Sequence, residues 1–119
     1  MTQQEKLELI IKTLDTQRGE DIQAIKIGDL TILADYFVIV NGNSNTHTRT
    51  LADEVEFQLS QKGIEPSRRE ADTGNTWIIL DYADIIVHVF YKEARNFYQL
   101  ERLWADGEQI DISDLIVKE

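Results

Sequence analysis

Cysteine is absent from the 119 residues, and proline occurs only once. Without cysteine there is no disulfide, no thiolate nucleophile and no cysteine-ligated metal. Basic residues are also scarce. Twelve Lys and Arg stand against 22 Asp and Glu, for a net charge of −10. Bare phosphate backbones repel such a chain, which argues against direct, charge-driven nucleic-acid binding. A basic protein partner fits the charge, and attraction of this kind also speeds encounter; solubility alone accounts for the acidity equally well. No apolar run approaches the roughly 20 residues of a membrane span. The polar N-terminus lacks the apolar core of a signal peptide, so a cytoplasmic location is expected. With six glycines, no repeat and no low-complexity stretch, a single domain over residues 1–119 is expected. Residues 105–119 form a C-terminal tail whose packing the pattern leaves open.

The residues that are present fall into periodic segments. Leu7, Ile10, Ile11 and Leu14 recur at the spacing of one helix face, which predicts an amphipathic helix over about 4–17, with Thr2 as a cap and Gly19 just past its end. Residues 21–27 read as a strand. Residues 35–40, "DYFVIV", are β-branched and aromatic throughout and read as a strand buried on both faces or nearly so. The polar run from Asn41 to Asn45 suits a turn and a helix N-cap. A second helix is predicted over about 46–62, with Thr48, Leu51, Ala52, Val55 and Leu59 inward and Gly63 closing it. Residues 65–72 are polar and read as an exposed strand or a loop. A third helical pattern covers 92–104. This order argues for an α/β or α+β domain with a small mixed sheet and flanking helices.

The stretch "TWIILDYADIIVHVF" (residues 76–90) reads as a hairpin. Side chains alternate across a strand, so one face carries Ile78, Leu80, Ile85, Val87 and Val89, with Tyr82 at the loop end. That aliphatic face is the expected helix-covered core. The other face carries Trp77, Ile79, Asp81, Ile86, His88 and Phe90. Its mixture fits either a second core layer, under a helix such as 46–62, or an exposed apolar patch rimmed by charge, as at protein interfaces.

Catalytic patterns are weak. His88 with Asp81 or Asp84 and Ser44 has the residue types of a nucleophilic triad, but no spacing supports it. His47 and His88 are 41 positions apart and offer no metal-ligand motif. Gly42-Asn43-Ser44 precedes a helix but lacks the glycine-rich phosphate-binding patterns. No paired acids of the D-x-D kind stand on a strand for metal-dependent nucleotidyl transfer.

Four segments together resemble the bacterial ribosomal silencing factor family, also called the RsfS or Iojap family. They are "DYFVIVNGNS" (35–44), "LADEVE" (51–56), "TWIILDYADIIVHVF" (76–90) and "EARNFYQLERLW" (93–104), in the family's order and spacing. The resemblance spans about residues 21–104. It implies a mixed-sheet α/β fold that is nucleotidyltransferase-like without the catalytic acids. It also implies no enzymatic activity and no cofactor. The implied partner is the large ribosomal subunit, engaged through its ribosomal protein number fourteen at the intersubunit face. Docking there blocks small-subunit joining and represses translation under nutrient limitation or in stationary phase. A role in large-subunit assembly and homodimers in isolation are also implied for some members; a nucleotidyltransferase-like enzyme is the competing class. The family usually has glycine where this chain has Ala83. Alanine suits a positive-φ turn poorly, so a longer connector is expected. The family also usually has Glu-Gly before the Trp strand, where this chain has Glu70-Ala71. The expected partner surface is Trp77 and Phe90 as apolar anchors, Asp81 and Asp84 for charge pairing, Ile79 and His88 as further contacts, and Tyr98, Glu101 and Trp104 adjoining.

Overall fold

A computed structural model describes residues 1–28, 34–94 and 107–116. Helix α1 (Gln3–Thr16) begins at Thr2, whose hydroxyl accepts from the Glu5 N–H while the Glu5 carboxylate accepts from the Thr2 N–H. This reciprocal box satisfies two donors that a helix start otherwise leaves open. The left-handed position after the helix falls on Arg18 (φ 64°), not on Gly19. Gly19 serves close approach instead: a Cβ there would lie 2.6 Å from Val40 Cγ2 and 2.9 Å from the Leu14 carbonyl oxygen. Helix α2 (Asn45–Ser60) starts at Ser44, which accepts from the His47 N–H. Gly63, at φ 76°, follows its end, as expected.

Six strands form one sheet. They are β1 (Glu20–Lys26), β2 (Tyr36–Gly42), β3 (Arg68–Ala71), β4 (Trp77–Asp81), β5 (Ile85–Tyr91) and β6 (Glu108–Gln109), in the order β3-β4-β5-β2-β1-β6. Only β2 and β5 run parallel; the other neighbours are antiparallel. The sheet is therefore mixed, as expected. The polar stretch 65–72 contains a strand, β3, exposed along its whole length. The tail packs: β6 pairs with β1, and Ile110, Ile112, Leu115 and Ile116 lie against the main core. Of the third predicted helix, residues 92–94 are helical and 95–104 lie outside the described residues.

The two faces separate as alternation requires. Ile78, Leu80, Tyr82, Ile85, Val87 and Val89 join Ala24, Val38 and Val40 beneath both helices. Leu7, Ile10, Ile11 and Leu14 come down from α1, and Leu51, Ala52, Val55 and Leu59 from α2. Helix α2 thus shares this face with α1 and does not cover the mixed face, although a second buried layer does form there. Ile25, Ile27, Ala34, Phe37, Ile39 and Phe90 form a separate buried cluster on the opposite face, with Trp77 and Ile86 beside it.

The hairpin connector corrects the longer loop expected from Ala83. Strands β4 and β5 pair in register up to Asp81 and Ile86, and the Tyr82 N–H donates to the Ile85 carbonyl. The Asp84 N–H reaches back to the Tyr82 carbonyl at 2.9 Å, closing a γ-turn around Ala83 at φ 73°. The Asp81 carboxylate accepts from the Ala83 N–H at 2.8 Å and braces the turn. Continuous pairing of the flanking strands outweighs the preference of one alanine. Ala83 therefore holds a conformation that costs an L-residue roughly 1–2 kcal/mol. Ala83→Gly is expected to raise stability by roughly 0.5–1 kcal/mol once the added freedom of the unfolded chain is subtracted. Urea denaturation of the two proteins measures this, and an unchanged or lower midpoint would contradict it.

Candidate partner-binding site

The expected partner residues divide into four groups. Trp77, Ile79 and Asp81 alternate along the outer face of β4 and are all partly exposed. They are separated from the sheet edge only by β3, whose Glu70 and Arg68 stand opposite Ile79 and Asp81 on the same face. A shallow groove of about 330 Å³ runs between Glu70, Ala71, Asp72, Trp77 and Ile79. Two carboxylates, an indole and an aliphatic side chain therefore share one concavity.

His88 and Phe90 form the second group, and the surface roles expected for them are corrected. Their side chains are 6% and 0% exposed. Both stand on β5, between β4 and β2, and aromatic rings from both neighbours pack against them. Trp77 lies directly across from Phe90 and stacks on it at 5.2 Å between centroids, with 23° between planes. Phe37 meets His88 edge-on at 4.7 Å. The Trp77 indole N–H donates to His88 Nδ1 at 3.1 Å. An indole nitrogen only donates, so His88 Nδ1 is unprotonated and the ring proton sits on Nε2. That nitrogen is buried with no hydrogen-bond partner among the described residues. Burial pushes the imidazole down to a pKa of about 4, so the ring is neutral at physiological pH.

Asp84 is the third group, and it too is corrected. It lies at the hairpin turn, four strand positions from Trp77 along β4 and therefore roughly 13 Å or more away. Its carboxylate is held by Lys6 Nζ at 2.5 Å, with Gln3 donating at 3.3 Å. It ties the start of α1 to the turn and does not continue the Trp77 groove. Tyr98, Glu101 and Trp104 make the fourth group and lie outside the described residues.

One residue escaped the sequence reading. Asp72 accepts from the Thr76 N–H at 2.6 Å and the Trp77 N–H at 3.1 Å, and also from the Thr76 hydroxyl. Partial burial alone would raise its pKa, but these hydrogen bonds outweigh that and hold the carboxyl below the usual carboxylate range. The loop that delivers Trp77 is further anchored by the Thr48 hydroxyl on α2, 2.6 Å from the Asn75 carbonyl. The available signal was Asp72 four residues before Thr76 across Gly74-Asn75, a spacing for side-chain capping of a turn. Asp81 is also engaged within the chain, 3.8 Å from the Arg68 guanidinium across the β3–β4 pair. Such an exposed ion pair contributes at most about 1 kcal/mol and leaves the carboxylate available to a second cation.

The residues considered for catalysis have structural employment. Ser44 caps α2. His47 Nδ1 accepts from the Asn43 N–H, and Nε2 donates to the Gln17 carbonyl at 2.8 Å, pinning α2 to the end of α1. Among the described residues no group of three or more His, Asp or Glu is placed to hold a metal ion. No helix among them is long and apolar enough to cross a membrane.

The buried imidazole generates a pH dependence. Its pKa is lower in the folded state than the unfolded value near 6.5, so unfolding takes up a proton between these values. The stability this contributes is complete above about pH 6.5 and is lost as pH falls toward 4. The difference is roughly 3 kcal/mol. His88→Phe is expected to lose less stability than the wild type between pH 6.5 and 4, read by urea denaturation at each pH; parallel pH profiles would contradict it.

A family model described as "Ribosomal silencing factor during starvation" matches residues 1–119. A ribosomal silencing factor from Bacillus subtilis is 35% identical over 112 residues, covering 94% of this chain and 95% of its own. One from Halalkalibacterium halodurans is 33% identical over 116 residues, covering 98% and 99%. The crystal structure of a Chromobacterium violaceum protein shares the fold with a TM-score of 0.85 at 29% identity, covering 95% of this chain and 93% of that one. A more distant mouse relative, 24% identical over 101 residues, is named for mitochondrial assembly of the ribosomal large subunit; the match covers 82% of this chain and 44% of the mouse protein. The shared fold, the four sequence segments and these matches agree, and the chain belongs to the ribosomal silencing factor family.

Proposed function

We propose that this protein silences translation by occlusion, without enzymatic activity. It docks on the large ribosomal subunit, through ribosomal protein number fourteen at the intersubunit face, and so keeps the small subunit from joining. The observation that carries this reading is the row Trp77, Ile79 and Asp81, partly exposed along β4 beside the groove bordered by Glu70 and Asp72. An indole with an adjoining aliphatic side chain is the kind of anchor that concentrates interface energy. Carboxylates at its rim, on a chain of net charge −10, suit Lys and Arg on a basic ribosomal protein and disfavour contact with bare rRNA. The starvation in the family's description gives the condition under which such occlusion is useful. Assistance to large-subunit assembly is a second reading, favoured by the name of the mouse relative.

Trp77→Ala is expected to weaken co-sedimentation with large subunits by about 2 kcal/mol, or roughly 30-fold, with its fold retained by circular dichroism. It is also expected to restore subunit joining, followed by light scattering on mixing the two subunits. A folded variant that binds and blocks joining as well as the wild type would remove Trp77 from the site.

A further inference from the structure

His88 is a polar residue where an apolar one would fit more cheaply. It stands on the central strand β5 among Phe37, Trp77 and Phe90, 6% exposed, with Nε2 buried and unsatisfied among the described residues. An orphaned buried donor destabilises, whereas a phenyl or isobutyl group at the same place carries no polar atom of its own to leave unpaired. What the imidazole supplies that those groups cannot is the acceptor Nδ1, 3.1 Å from the Trp77 indole nitrogen.

Trp77 needs such a restraint because of where it sits. It is the first residue of β4, directly after the Asp72–Thr76 loop, with the groove on its outer side. The stack on Phe90 restrains the indole plane but leaves its direction within that plane undetermined. A ring flipped about its side-chain bond still stacks. The hydrogen bond to His88, its diagonal neighbour across the β4–β5 pair, distinguishes the two orientations. It also engages the indole N–H within the protein.

We propose that His88 is a positioning residue: buried beneath the partner-binding surface, it sets the orientation of Trp77 through Nδ1 and never touches the partner itself. This rests on the docking reading above. Pre-orienting one large side chain removes part of the ordering cost that association otherwise carries, an effect of about three- to tenfold in affinity.

The test compares His88→Phe, His88→Asn and Trp77→Phe with Trp77→Ala and the wild type. Asparagine places its carbonyl oxygen near the position of Nδ1 and restores the acceptor. Trp77→Phe breaks the same bond from the other side and identifies the Trp77 indole signal by its loss in nitrogen–proton correlation spectra. Folded His88→Phe is expected to shift the Trp77 indole resonance and expose its proton to exchange, and to bind large subunits three- to tenfold more weakly. His88→Asn is expected to recover both toward wild type. If His88→Phe does not fold, His88→Leu replaces it under the same two measurements, and wild-type affinity with an unmoved indole resonance there overturns the positioning role. An unmoved indole resonance or unchanged affinity in His88→Phe overturns the positioning role while Trp77→Ala remains weak. Wild-type affinity in Trp77→Ala overturns the docking reading itself, and the positioning role with it.

Discussion

Strand β5 is buried on both faces along almost its entire length, and the other elements are arranged around that burial. Its parallel partner β2 and its antiparallel partner β4 satisfy its backbone on either side. The parallel pairing cannot be made by a tight turn. The chain leaves β2, runs through α2, returns by the β3–β4 hairpin and only then enters β5. Helix α2 and the hairpin are thus the connection that makes the central pair possible. α1 joins α2 on the aliphatic face, where Leu7, Ile10, Ile11 and Leu14 enter one core with Leu51, Val55 and Leu59.

The same burial shapes the candidate site. Only β3 stands between β4 and the sheet edge; the outward residues of β4 are partly covered, while His88 and Phe90 on β5 are buried. A graded surface results, with Trp77 and Ile79 reachable, and Phe90 and His88 directly behind them. Asp72 adds a second support by holding the backbone amide of Trp77. The indole is therefore fixed at its backbone by a carboxylate, across its face by a phenyl ring and at its nitrogen by an imidazole. A side chain held on three sides loses little further freedom when a partner arrives, which is the physical advantage of a preorganised anchor.

Charge is distributed in keeping with this. Asp84 is drawn to Lys6 and fastens the turn to α1, while Asp53 and Glu56 on α2 meet Arg69 on β3. These pairs engage Lys6 and Arg69 internally, and the chain keeps a surplus of negative charge. An acidic exterior around an apolar anchor suits a basic protein partner and resists a nucleic-acid one.

How much could be read in advance depended on the kind of physics involved. Helix stripes such as Leu7 to Leu14, caps such as Thr2 and Ser44, and the alternation within β4 and β5 are local properties. Backbone geometry fixes their periods, so the sequence by itself determined the elements and which side chains of the hairpin share a face. The Asp72 bracket around Thr76 and Trp77 is local as well, but its spacing is common in turns and did not stand out. Ala83 shows the limit of local reasoning, since strand register on either side overrode its own preference. Whether a shared face is surface or core is not local at all. Trp77, His88 and Phe90 have the same parity, yet the tertiary structure separated them, because exposure depends on what packs against each residue and not on its parity. It likewise sent α2 to the aliphatic face and Asp84 to Lys6, contacts between segments far apart in the chain that no periodicity records.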